Sequence, residues 1–330
     1  TTLFRSRVCH HANCMHDRPL ITIVTATYNR SRVLAHAIES VRRSTIDDWE
    51  HLVVGDACTD DTGEVIAAVA DPRVRFTNLS VNAGEQSAAN NEGLRQARGR
   101  YIAYLNHDDL YFPDHLASAV AALERTGADF VWSPLLVLLP GAEADLAADR
   151  WTCRLSGVPV GDGYDPRLFV FASAWVMTRA LADRVGPWRA ARETFVTSSQ
   201  DWLWRAWRGG ATMRVLPRVT VMAIPGSMRR GYAQVGDAEH AHVMRRMRDD
   251  PSFREAAFER AALGGERDAN RVRFGLAPLA AARGWAFRPV AAAAMALGVH
   301  PHTPFAALRH GRRGNLVSAI RRDSGLDGLR

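Results

Sequence analysis

Leu20 to Thr27 is an apolar, β-branched run (Leu-Ile-Thr-Ile-Val-Thr-Ala-Thr) that predicts a strand, and Tyr28-Asn29-Arg30 turns out of it. Ser31 reads as the cap of a helix, because Val33, Leu34, Ala37, Ile38 and Val41 recur at the spacing of one helical face. The alternation then repeats. His51 to Gly55 predicts a second buried strand ending at Asp56, and the loop Ala57 to Gly63 feeds another helix. Val74 to Leu79 predicts a third strand and Glu85 to Arg98 a third helix. Tyr101 to Leu105, behind Gly99, predicts a central strand, followed by a helix over Pro113 to Thr126 and a strand over Asp129 to Trp132. Strands and helices alternating across short loops specify an α/β fold with a mostly parallel sheet flanked by helices.

Beyond Trp132 the pattern loosens. Gly141 to Asp149, rich in Ala and Asp, reads as a loop, and Leu168 to Met177 as an apolar strand or buried segment. Ser198 reads as the cap of a helix carrying Trp202, Trp204 and Trp207, which Gly209-Gly210 stop. Met213 to Ala223 resumes a strand. From Asp237 onward the pattern is helical, rich in Ala and Arg, and no internal repeat of fixed period occurs.

Polar residues gather at the strand ends: Tyr28-Asn29, Asp56, Asn82 to Glu85, and Asn106 to Asp109. Loops at the carboxyl ends of parallel strands converge, so these blocks form one site. Carboxylates there suit a hard divalent cation that leaves positions open for substrate phosphates. Taken alone, Asp108-Asp109 reads more readily as an acidic turn before the next helix. No GxGxxG or GxxxxGK[ST] follows the first strand, which removes the main support for a dinucleotide or P-loop site.

Composition changes the picture in two respects. The net charge is +7, and all 42 basic residues are Arg, which suits phosphorylated substrates or an anionic membrane surface. No nucleic-acid-binding motif accompanies them. Four Cys at irregular positions point to a reducing, cytoplasmic compartment. Cys9, His10, His11, Cys14 and His16 make half of a zinc pattern without the second ligand pair. The chain opens on Thr1 rather than Met, and residues 1–18 are expected to be a disordered or non-native N-terminal segment. There is no signal-peptide pattern and no apolar run of about 18 residues, so no membrane-spanning helix is expected. Pro289 to Arg313, Ala-rich with basic ends, reads as a packing helix or as a peripheral membrane contact.

Several ordered blocks resemble glycosyltransferase family 2: Ile23 to Arg30, Val54 to Asp60, Asn82-Ala83-Gly84, and Asn91 to Leu94 followed by Ala97 to Ile102. The resemblance covers about Pro19 to Gly210 and implies the GT-A fold, a nucleotide-diphosphate sugar donor and inversion at the anomeric carbon. It implies nucleotide-sugar contacts from Ala26, Thr27, Tyr28, Arg30, Asp56, Asn82, Gly84, Asn91 and His107, with Tyr28 on the base and Asp56 at the base edge. Asp108 and Asp109 would hold Mn²⁺ or Mg²⁺, and Asp201 would be the general base. The implied organisation is a domain over 19–225, divided into a donor half (19–132) and an acceptor half (133–225), with a helical extension over 226–330.

The chain departs from the family pattern at Gly55, Asn106 and Gln200, where acidic residues are usual, and at Asn90, near a usual Arg. Those departures bear on metal dependence. Trp175, Trp188, Trp202, Trp204 and Trp207 are candidates for stacking on an acceptor sugar or for the core. The expected function is sugar transfer to a saccharide, lipid-linked or other hydroxyl acceptor in polysaccharide or glycoconjugate synthesis. The alternatives are a non-catalytic nucleotide-sugar-binding protein of the same fold, or a nucleotidyltransferase, whose Gly-rich phosphate loop is missing.

Overall fold

The computed structural model describes residues 18–141, 143–161, 163–229, 231–232, 236–273 and 278–326. β1 (Ile21–Thr27) is buried along nearly its whole length, as a strand with neighbours on both edges and helices on both faces must be. It pairs in parallel with β2 (Trp49–Gly55) on one side and with β4 (Tyr101–Tyr104) on the other, and β3 (Val74–Asn78) extends the sheet beyond β2. The linking helices are α1 (Ser31–Arg42), α2 (Thr62–Val69) and α3 (Gln86–Gln96). Ser31 is the first helical residue rather than the cap, and Arg30 takes the cap position without a side-chain bond. Glu85 caps α3 through its side chain, which accepts from Ser87 N.

Glu50 holds this half together. Its side chain is 3% exposed and accepts from Thr22 Oγ1 at 2.7 Å, Arg98 N at 2.7 Å and Arg75 Nη2 at 2.8 Å. Burial pushes its carboxyl up, but the Thr22 and Arg98 bonds more than offset that and leave it below the usual range.

After β4 the chain leaves the main sheet. β5 (Asp109–Tyr111) belongs to a second sheet, and α4 (His115–Thr126) leads to β6 (Phe130–Trp132). β7 (Leu135–Leu138), α5 (Glu143–Ala147) and β8 (Cys153–Ser156) follow; α5 lies where a loop is expected. β9 (Trp175–Thr178) then inserts antiparallel between β4 and β6. α6 (Arg179–Val185) and α7 (Ser198–Arg208) come next; the cap of α7 is Thr197, one residue before the expected Ser198. The expected strand over Met213 to Ala223 is two strands, β10 (Met213–Val215) and β11 (Val221–Ala223), in different sheets. Pro217, which has no N–H to donate, lies in the break.

Among the described residues the large sheet runs β10-β6-β9-β4-β1-β2-β3 and the small one β5-β11-β7-β8. Both draw strands from either side of residue 132, so the two parts share one core. Trp175, Trp188 and Trp202 fill that core together, with ring centroids 5.5 and 5.8 Å from Trp175.

The C-terminal part comprises α8 (Ala238–Asp249), α9 (Phe253–Arg273), α10 (Pro278–Ala296), α11 (Thr303–His310) and α12 (Asn315–Asp323). α9 covers the small sheet with Phe253, Ala257 and Ala261. Ala291 and Ala294 of α10 are buried, and Pro289 to Arg313, read as one helix, is divided between α10 and α11. No helix among the described residues is long and apolar enough to cross a membrane.

Candidate donor-binding cleft

A cavity of about 320 Å³ opens at the carboxyl ends of β1, β2 and β4, where ligands of open α/β sheets sit. It is at the small end of ordinary ligand pockets. Asp56 leaves β2 into this space at 5% exposure. Its Oδ1 accepts from Ala83 N at 2.7 Å and its Oδ2 from Gly84 N at 2.8 Å, while Asn82 Nδ2 donates to Asp56 O at 2.8 Å. Asp56 therefore shapes the whole Asn82–Gly84 turn, and its carboxylate keeps a lone pair on each oxygen for a ligand. Gly55 precedes it because Asn78 fills the place of a side chain: a Cβ there would lie 2.4 Å from Asn78 Oδ1.

Asn106 to Asp109 form the opposite wall. Asp109 is nearly fully buried, and its carboxylate receives Asn106 Nδ2 at 2.9 Å, Ser173 Oγ at 2.5 Å and Ile224 N at 3.1 Å. Burial first, and then the neighbouring Asp108 charge, push its carboxyl up to about 7. Asp109 thus ties the end of β4 to β11 and is poorly placed to be a metal ligand. The Asn106 amide is one of the donors that make this possible, so an Asp at 106 would set a second acceptor against Asp109. Asp108 is half-buried, and among the described residues only its Oδ2 has a hydrogen-bond partner, Gly226 N at 2.7 Å. Among the described residues no group of three or more acidic, His or Cys side chains is gathered for a metal. One free carboxylate oxygen suits Mg²⁺ or Mn²⁺, which keep waters and take substrate phosphates as ligands. His107 contacts Ala26 O at 3.3 Å, and burial lowers its pKa, which favours the neutral ring.

The structure brings Ala26, Thr27, Tyr28, Asp56, Asn82, Gly84, His107, Asp108 and Asp109 to this one cleft. Three other expected residues lie outside its lining. The guanidinium of Arg30 donates to Gly231 O beside a neighbouring cavity. Asn91 bonds both backbone groups of Trp188, at 2.8 and 2.9 Å, which fastens α3 to the segment before α7. The carboxylate of Asp201, in the first turn of α7, is held by Arg205 at 2.9 Å and Arg189 at 3.4 Å. Trp175, Trp188, Trp202 and Trp204 are buried and closed to an acceptor sugar; Trp207 is partly exposed. Cys9, His10, His11, Cys14 and His16 lie outside the described residues.

Residues that were not expected as site residues also line the cleft. Glu85, at the α3 cap, was legible only as part of the loop block. Phe169 and Tyr232 come from segments without periodicity, and Val317, Ile320 and Arg321 come from α12. Tyr232 sits 6.1 Å from Tyr28 and 6.1 Å from His107 by ring centroids.

A mostly parallel sheet with one antiparallel strand, a small second sheet and an acidic cleft at the strand ends is the architecture of the GT-A fold. Residues 22–137 match the model of glycosyl transferase family 2. Succinoglycan biosynthesis protein ExoO of Rhizobium meliloti is 38% identical over 138 residues, 42% of this chain and 39% of that protein. WfgD of Escherichia coli, a UDP-Glc:alpha-D-GlcNAc-diphosphoundecaprenol beta-1,3-glucosyltransferase, is 28% identical over 116 residues, 35% of this chain and 46% of WfgD. The chain thus spans less than half the length of these relatives. TarS 1-349 of S. aureus in complex with UDP-GlcNAc aligns with TM-score 0.52 at 17% identity, over 62% of this chain and 58% of that 1-349 chain. The mannosyltransferase PcManGT of Pyrobaculum calidifontis, in complex with GDP-Man and Mn2+, aligns with TM-score 0.50 at 20% identity, over 92% of this chain and 87% of PcManGT.

Proposed function

We propose that the chain is a glycosyltransferase that moves a sugar from a nucleotide-diphosphate donor to an acceptor hydroxyl with inversion, in polysaccharide or glycoconjugate synthesis. The observation that carries it is the joining of Asp56 and Asp108 in one cleft at the strand ends, inside the family-matched region. Tyr28 offers a ring to the nucleobase, and Asp56 offers its remaining lone pairs to the base edge. Asp108 would hold a divalent ion against the diphosphate; when bound, that ion offsets the charge gathering on the leaving group. Neutral His107 beside Ala26 O borders the donor without adding charge.

The transfer needs a base for the acceptor proton. Asp201 is our first assignment. Its bond to Arg189, at 3.4 Å and with that Arg 55% exposed, is the one that an acceptor would displace. A second reading follows from Glu85, which lines the cleft and accepts from Ser198 Oγ at 3.3 Å, where Asp201 does not. Asp201→Asn and Glu85→Gln separate them. The base variant should keep donor binding and lose about a hundredfold or more in transfer, and parental transfer by Asp201→Asn removes Asp201 from the role. The reading as a whole is tested by donor turnover across a panel of nucleotide sugars, with and without Mn²⁺. Tight nucleotide binding without turnover of any donor, across a range of acceptors, would instead favour a non-catalytic binding protein.

A further inference from the structure

α12 is remote in sequence from the cleft, yet it forms one of the cleft's walls with Val317, Ile320 and Arg321. Among the bonds that fasten α12 and its C-cap Ser324 there, two reach segments remote in sequence. Tyr232 N donates to Ser324 O at 3.0 Å, and Arg321 Nη1 donates to Gly84 O at 3.0 Å. Gly84 is therefore held at both ends, its N–H on the Asp56 carboxylate and its carbonyl on the Arg321 guanidinium. Only glycine permits this arrangement: φ is +76°, and a Cβ would lie 1.7 Å from Arg321 Nη1. The charges point the same way. The described lining carries Asp56, Glu85, Asp108 and Asp109, and Arg321 is its one guanidinium. An acidic cleft that takes a diphosphate needs fixed positive charge near it, and a guanidinium keeps its charge at every relevant pH.

We infer that α12 is part of the nucleotide site, with Arg321 as a positioning residue that clamps the Asn82–Gly84 turn onto a bound nucleoside diphosphate and supplies fixed positive charge to the cleft. The ligand class rests on the proposed function; the clamp does not. The test uses the full chain as parent, Arg321→Ala and Arg321→Lys, with Arg309→Ala on α11 as a control. Calorimetric titration with UDP and GDP in Mn²⁺, donor KM and kcat, amide exchange at Gly84 without ligand, and thermal unfolding are measured together. In Arg321→Ala we expect Kd and KM to rise about tenfold, kcat to hold, and Gly84 exchange to quicken at unchanged unfolding temperature. Arg321→Lys should recover part of the loss, because an ammonium can still donate to the Gly84 carbonyl, and Arg309→Ala should match the parent. Parental nucleotide affinity in Arg321→Ala, or no recovery in Arg321→Lys, overturns the inference. If the parent itself binds no nucleotide, the functional reading fails separately, and unchanged Gly84 exchange in Arg321→Ala would then overturn the clamp as well.

Discussion

Asp56→Asn is the most discriminating substitution at the strand ends, because it alters charge and hydrogen-bond polarity with almost no change of shape. In the parent, one carboxylate accepts two backbone amides at 2.7 and 2.8 Å. The Asn amide can keep one of them on its oxygen, but its NH₂ must then face the other N–H, donor against donor. Bonds to charged acceptors contribute about 1.5–3 kcal/mol each. Losing one, and weakening the other by neutralisation, disfavours the ordered turn by about 2 kcal/mol. If nucleotide binding requires that turn, 2 kcal/mol corresponds to about thirtyfold in affinity, at 1.4 kcal/mol per tenfold. Calorimetric titration with UDP and GDP reads the affinity, and amide exchange at Ala83 and Gly84 reads the turn itself. The rate of the chemical step at saturating donor should change far less, because Asp56 lies away from the transferred group in this reading. An affinity within about twofold of the parent, together with quickened exchange, would show that nucleotide binding does not need the turn. Unchanged exchange would refute the structural argument outright.

Two further outcomes are expected. Asp108→Ala should abolish stimulation of donor turnover by Mn²⁺ while leaving the unfolding temperature near the parent's, since among the described residues Asp108 has one hydrogen-bond partner for its carboxylate; parental Mn²⁺ response in the variant rules out the metal role. Stability should fall in mild acid: His51 and His115 are fully buried, burial lowers each pKa to about 3, and His51 Nδ1 and His115 Nε2 have no partner among the described residues. Their folded pKa values lie below the unfolded value of about 6.5, so this contribution is present above that pH and is lost as pH falls toward 3, by up to about 1.4 kcal/mol per pH unit per histidine. Urea unfolding at about pH 7.5 and about pH 5 measures it, His115→Gln should show a smaller loss, and an equal loss in parent and variant refutes the account.

Periodicity in the sequence determined the repeated strand and helix order from β1 to β4, because each of those segments packs against its sequence neighbours and so carries a complete local pattern. The same holds for Asp56 and for Asn106 to Asp109: a polar residue that ends an apolar run is visible without knowing what lies opposite. Tertiary structure alone decided the small sheet, since β5 and β11 are three residues each and are stabilised by partners distant in the chain. It also decided what the site residues do. Asp108 and Asp109 are equivalent in sequence, yet Ser173, Ile224 and Asn106 occupy the second carboxylate, while among the described residues the first accepts only from Gly226 N. Arg30 and Asn91 sit in the motif blocks and Asp201 is the implied base, but their side chains are bonded outside the cleft lining. Arg321 shows the converse. Nothing in its local sequence marks it, because its partner is a backbone carbonyl more than two hundred residues away, reached only when α12 folds back over the strand ends.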